Sequence, residues 1–162
     1  MRDEWLTASD EQLIRECRLD FHKASGNGGQ KVNKTSSAVR LIHAPSGITA
    51  ASAESRSQHE NRRCALKALR MKIALTVRKT ADPEFRVGDP ATSMSNASYP
   101  LFAAKILDTF LAHGCELKDT AMMLNISATR LSKLLYRDPA LWTEACNLRK
   151  TRGLPPLRTP ER

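Results

Sequence analysis

The hydrophobic period changes from two to about 3.6 residues after Ala51, and that change restricts the folds open to this chain. Between Arg18 and Ala51 apolar and polar residues alternate in short runs, as in half-buried strands. From Ser57 onward apolar residues recur every three or four positions, the spacing of a helix with one buried stripe. Arg18 to Lys23, Ala38 to His43 and Ile48 to Ala51 are therefore read as three strands, with Leu19 and Phe21 on one face of the first. Ala44-Pro45-Ser46-Gly47 joins the last two as a hairpin turn, because Pro presets φ and Gly supplies a positive one. Asp10 to Cys17 carries a weaker helical pattern ahead of the first strand.

Ser57-Gln58-His59-Glu60 has the spacing of a capping box. It precedes a helix whose apolar side is Cys64, Ala65, Leu66, Leu69, Ile73 and Val77 and whose other side holds Arg62, Arg63, Lys67, Arg70 and Lys72. The expected fold is α+β: a small antiparallel sheet with a long amphipathic helix, followed by a small all-α unit resembling a helix-turn-helix. Residues 1–80 form the first domain, 81–100 a Pro-containing linker, 101–153 the helical domain and 154–162 a Pro-rich tail.

Charge is unevenly spread over the 162 residues, which total +9. Residues 21–80 hold twelve basic groups against two acids, Glu54 and Glu60. Such a segment repels itself unless a polyanion is close, which points to nucleic acid. Charge alone does not separate DNA, RNA and acidic lipid. Aromatic residues are 5% of the chain, too few for a platform on which single-stranded bases stack.

No apolar run approaches the ~20 residues of a membrane span, so no membrane partner is expected. The acidic start Met1-Arg2-Asp3-Glu4-Trp5 reads as neither a signal nor a transit peptide. Four cysteines without a CxxC pair read as free thiols in a reducing cytoplasm. No metal site and no cofactor are expected, and the chain reads as a monomer.

Ser25-Gly26-Asn27-Gly28-Gly29-Gln30 lies between the first two strands. Its glycines let the backbone take positive φ and approach a ligand closely. Taken alone, that composition also suits a flexible hairpin turn. A phosphate-binding P-loop is excluded, because GxxxxGK[ST] and a strand-to-helix context are both missing.

The wider string is more specific. Gly28-Gly29-Gln30, then Val32-Asn33-Lys34-Thr35, then Ser37 to Ile48, then Arg56-Ser57-Gln58 with Asn61 resembles the catalytic domain of class I peptide-chain release factors. The resemblance covers Leu19 to Leu75 in one collinear order and is greater still to short, codon-independent relatives that rescue stalled ribosomes. Asn27 departs from the Pro or Ala often found there.

The resemblance implies hydrolysis of the ester joining a nascent peptide to tRNA, in the peptidyl-transferase centre of the large subunit. Gly28, Gly29 and Gln30 are then the catalytic residues. The Gln30 backbone N–H would face developing negative charge, its side chain would shape the water pocket, and the two glycines would permit the bend. A glutamine methyltransferase is an implied partner, with Gln30 as its target. Ribosomal RNA would be held by Lys23, Lys31, Asn33, Lys34, Arg40, Arg56, Gln58, Asn61, Arg62 and Arg63, the uncharged ones as readers or loop braces. His43 and His59 read as structural residues and not as general bases.

Leu117 to Leu131 resembles a helix-turn-helix, with Asn125 at the turn and Ser127 capping the next helix. Arg130, Lys133 and Arg137 fall on one face of that helix, toward a groove or structured RNA, or simply toward water. The length leaves no room for a codon-reading domain, so stop-codon decoding is not expected. Rescue relatives often end in a basic unstructured tail, whereas residues 101–153 here look folded. The rival readings are a non-catalytic nucleic-acid-binding regulator using the helix-turn-helix, and a structural ribosome-associated protein.

Overall fold

The computed structural model describes residues 1–22, 38–88 and 93–160. Two compact units divide the chain, Met1–Ile73 and Ala74–Arg162. The α+β expectation holds: one three-stranded antiparallel sheet accompanies seven helices among the described residues.

The first unit opens with α1 (Arg2–Thr7) and α2 (Asp10–Arg15). Ser9 and Gln12 form a reciprocal capping box that starts α2, a signal the hydrophobic pattern does not carry. The sheet order is β1 (Cys17–His22), β2 (Ala38–His43), β3 (Thr49–Ser52). As the central strand, β2 buries Ala38, Val39, Leu41 and His43 while Arg40 points outward. Gly47 has φ 69° and donates its N–H to the His43 carbonyl at 2.8 Å, closing the expected turn. Leu19 and Phe21 share one face as expected, opposite Leu41 and Val39, and Phe21 is 49% exposed on the edge strand β1.

Helix α3 (Gln58–Thr76) buries Ala65, Leu66, Leu69 and Ile73 of the expected stripe, together with Ala74, which the spacing did not mark, while Cys64 and Val77 are only half-buried. Its capping box forms only in half. The Glu60 N–H reaches Ser57 Oγ at 3.3 Å, but the Glu60 carboxylate accepts from the Ser55 hydroxyl at 2.9 Å. Two cations read as part of an outward basic face are otherwise occupied. Arg70 donates to Asp10 Oδ1 at 2.5 Å and to the Ala8 carbonyl at 2.6 Å, so it clamps α3 to the α1–α2 junction. Lys72 Nζ donates to the Thr49 carbonyl at 2.9 Å.

The second unit is built on α4 (Tyr99–Ala112), whose Phe102, Ala103, Ala104, Ile106, Leu107 and Phe110 are all buried. Asp108 is buried on the same helix. Arg78 pairs with it at 3.3 Å and the Lys79 N–H donates to it at 3.1 Å, so its charge is neutralised in place. The segment read as a linker runs, over part of its described length, along this unit: the Val87 N–H reaches the Leu124 carbonyl at 3.4 Å, and Phe85 stacks edge-on to Phe102.

Gly114 and Cys115 end α4 with φ of 66° and 61°. Arg149 then ties three segments together, donating to the Cys115 carbonyl at 2.5 Å and the Pro155 carbonyl at 2.7 Å. Helices α5 (Leu117–Met123) and α6 (Ala128–Arg137) are joined through Asn125, whose φ is 56°, the left-handed conformation expected of it. Ser127 caps α6 through the Arg130 N–H at 3.1 Å.

Asp138 caps α7 (Pro139–Thr151) through the Ala140 and Leu141 N–H groups and accepts from the Tyr99 hydroxyl at 2.8 Å. Burial, then this hydrogen bond, pushes the Tyr99 hydroxyl well above its ordinary pKa. Asp138→Ala removes a cap and leaves a buried hydroxyl without its acceptor. We expect it to cost about 2–4 kcal/mol, against about 1 kcal/mol or less for Asp138→Asn, which keeps an acceptor. Urea unfolding of the two variants checks this.

Candidate functional site

β1 and β2 are paired to their last residues, His22 opposite Ala38. Directly opposed Cα atoms in such a pair lie roughly 5 Å apart. His22 and Ala38, the described residues that flank 23–37, are therefore neighbours across the sheet. Gly28, Gly29, Gln30, Lys23, Lys31, Asn33 and Lys34 fall in that segment and lie outside the described residues.

Among the remaining candidates, the β3–α3 connection is the most ordered by its hydrogen bonds. Asn61 is fully buried at the start of α3. Its Oδ1 accepts from the Ser55 N–H at 2.9 Å and the Ser52 hydroxyl at 3.3 Å, and its Nδ2 donates to the Ser55 carbonyl at 2.7 Å. Asn61 thus acts as a loop brace; its amide is turned inward, not toward an RNA. The Ser57 N–H donates to Ser55 Oγ at 3.1 Å, fixing the other side of the same turn.

Arg56 stands exposed between these two anchored serines. A cation held by a fixed backbone loses less entropy on meeting a phosphate than one on a loose loop. Gln58 and Arg63 are also exposed, with Arg63 3.9 Å from Glu60. Arg62 is half-buried, and its Nε is buried with no hydrogen-bond partner. Arg40 lies across the strand pair from Asp20 at 3.8 Å, with both side chains largely in solvent, an arrangement that contributes little to stability.

His43 is buried in a chain of polar contacts: Nδ1 to Ser46 Oγ at 2.7 Å and Nε2 to Glu16 Oε2 at 3.2 Å. Trp5 packs edge-on against its ring at 4.7 Å. Ser46 Oγ also accepts from the Ile48 N–H at 3.3 Å, so the serine serves its turn. The set resembles a hydrolytic triad in composition only; it staples the β2–β3 turn to the end of α2. Neither Cys17 nor Cys115 is prepared as a nucleophile, since burial pushes both thiols up, away from the thiolate form.

In the second unit Arg130, Lys133 and Arg137 are exposed along α6, opposite the buried Leu131 and Leu135. No cluster of metal-ligating side chains occurs among the described residues, and no described helix is long and apolar enough to cross a membrane.

A family model described as "RF-1 domain" matches residues 11–96, which is 86 of the 162 residues. The chain belongs to the RF-1 domain family. The RF-1 match takes in α2, the whole sheet, Gly28-Gly29-Gln30 and α3, and it ends ahead of α4. "Peptide chain release factor 1" of Ureaplasma parvum serovar 3 is 41% identical over 93 residues, which cover 52% of this chain and 26% of that protein. The protein of the same description from Gluconobacter oxydans is 38% identical over 109 residues, covering 64% of this chain and 30% of its own. That from Rickettsia bellii is 49% identical over 70 residues, covering 43% and 20%. The chain therefore spans between a fifth and a third of the length of these relatives.

Sequence reasoning did not single out Arg70 or the Arg78–Asp108 pair. Asp108 carried a signal, since a carboxylate inside the apolar run Ile106-Leu107-Asp108-Thr109-Phe110 needs a buried partner. The brace at Asn61 yields a prediction. Asn61→Ala should lower stability by about 1–3 kcal/mol, whereas the exposed Arg56 should tolerate Arg56→Ala with stability unchanged. Thermal melting of both variants checks it.

Proposed function

We propose that the chain hydrolyses the ester of peptidyl-tRNA on the ribosome, without reading a codon, and so releases nascent peptides from stalled complexes. The observation that carries this reading is the RF-1 match across residues 11–96, with Gly28-Gly29-Gln30 inside it. The reading of codon independence follows the likeness of the motif string to short rescue relatives. The acyl ester needs a positioned water and a donor aimed at the oxyanion that forms as water adds. The Gln30 backbone N–H is the donor in this proposal, and the Gln30 side chain borders the water. Gly28 and Gly29 allow the backbone to come close. Methylation of the Gln30 side-chain amide by a glutamine methyltransferase would act on the same pocket.

The described scaffold supports such a role. The residues that would carry out the chemistry are flanked by His22 and Ala38, which are paired across the sheet. Arg56, Arg62 and Arg63 lie on the same domain and would contact phosphates, with strongly salt-dependent binding. Nothing in the reaction as proposed calls on a metal, and the buried His43 is not placed to act as a base.

The test is release of labelled peptide from ribosomes halted on mRNA without a stop codon. Wild type should release peptide. Gly29→Ala and Gln30→Ala should bind ribosomes and release little. Gln30→Pro, which deletes the backbone donor, should lose on the order of 10²–10³ in rate. Release by Gln30→Pro at the wild-type rate would refute the assignment of the donor. A wild-type chain that binds ribosomes and releases nothing would refute the hydrolase reading itself.

A further inference from the structure

We propose that the exposed face of α6 docks on the phosphate backbone of double-helical RNA. Helix α6 reads Ala-Thr-Arg-Leu-Ser-Lys-Leu-Leu-Tyr-Arg, with three cations and no acid in ten residues. Its buried side is Leu131, Ser132 and Leu135, packed within the second unit. The outward side carries Thr129, Arg130, Lys133 and Arg137, all exposed, together with Tyr136 at 49% exposure. Leu134 and Ser127 join the cations around an open cleft of about 450 Å³.

Three features distinguish this face from an ordinary solvated helix surface. First, its charge is of one sign over the whole outward stripe, where a solubilising face usually alternates signs. Second, hydroxyls at Ser127 and Thr129 lie beside the cations, and Arg, Lys, Ser and Thr are the side chains that contact backbone phosphates. Third, the Tyr136 ring is held edge-on against Trp142 of α7 at 5.2 Å, so a large half-exposed aromatic is fixed at the edge of the basic stripe. Arg130 to Arg137 spans roughly 10 Å of helix axis. A double helix presents on the order of six phosphate charges over that length.

The outward side chains decide what kind of nucleic acid contact this is. Reading base edges draws on Asn, Gln, Asp or Glu as well as Arg and Lys, and the α6 face has none of these four. Phosphate contacts fix position without reading sequence. The face thus suits sequence-independent docking. The choice of RNA over DNA rests on the proposed ribosomal function, and α4–α7 lie beyond the RF-1 match, so this surface is separate from the one that family membership describes.

The experiment uses the full chain, a 20-base-pair RNA hairpin and a DNA hairpin of the same sequence, with fluorescence anisotropy between 50 and 200 mM salt. Lys133→Gln/Arg137→Gln is compared with the charge-matched Lys150→Gln/Arg158→Gln, both pairs being exposed in the second unit. The α6 pair should weaken RNA binding by about tenfold at 100 mM salt and lower the salt slope by about two, at ~0.9 per lost phosphate contact. The control pair should change neither. Equal melting temperatures confirm that both variants fold. Unchanged RNA affinity in the α6 pair, or an equal loss in the control pair, overturns the proposal, and so does tighter binding to the DNA hairpin. Peptide release by Gln30→Ala is measured alongside. Its loss bears on the hydrolase reading alone, because that variant should bind the hairpin as wild type does.

Discussion

The antiparallel pairing of β1 with β2, carried to the last residue of each, is the constraint on which the first unit depends. The ladder places His22 and Ala38, which flank residues 23–37, opposite one another. The ladder is itself secured through one face of β2. Leu41 and Val39 bury the central strand, and the Glu16–His43–Ser46 contacts hold its far end to the helix ahead of β1. Elsewhere in the unit, Asn61 and Ser55 shape the exposed turn that carries Arg56.

The two units solve the problem of buried charge in different ways. In the first, Arg70 reaches a carboxylate on a neighbouring helix and a backbone carbonyl, and keeps about an eighth of its surface in water. In the second, Asp108 sits inside the most apolar helix and needs both the Arg78 guanidinium and the Lys79 N–H. A pair of this kind is worth less than its geometry suggests, because desolvation offsets much of the attraction. Its consequence is specificity: α4 has one orientation in which its carboxylate meets a cation. Asp138 has the same character, since a single carboxylate serves two helix N–H groups and the Tyr99 hydroxyl. These contacts hold the scaffold from which α6 presents its cations.

Most of the regular structure was legible in the residues themselves, because period and caps are local properties. The strand Ala38–His43, the turn at Gly47, the left-handed Asn125 and the caps at Ser127 and Asp138 all follow from side chains within four positions. The family was legible as well, from one collinear string that spans the sheet and α3. What the chain alone could not supply was the direction of its polar side chains. From the sequence Asn61 is either a reader of RNA or a loop brace, and Arg70 is part of an outward basic face. The structure turns the first onto a backbone six residues away and the second onto an acid sixty residues away. The sequence by itself determined the strands, most of the helices though not α1, and their order, since periodicity and turn chemistry act over a few residues. Only the tertiary structure decided which polar groups brace the fold and which remain for a ligand, because that depends on partners distant along the chain.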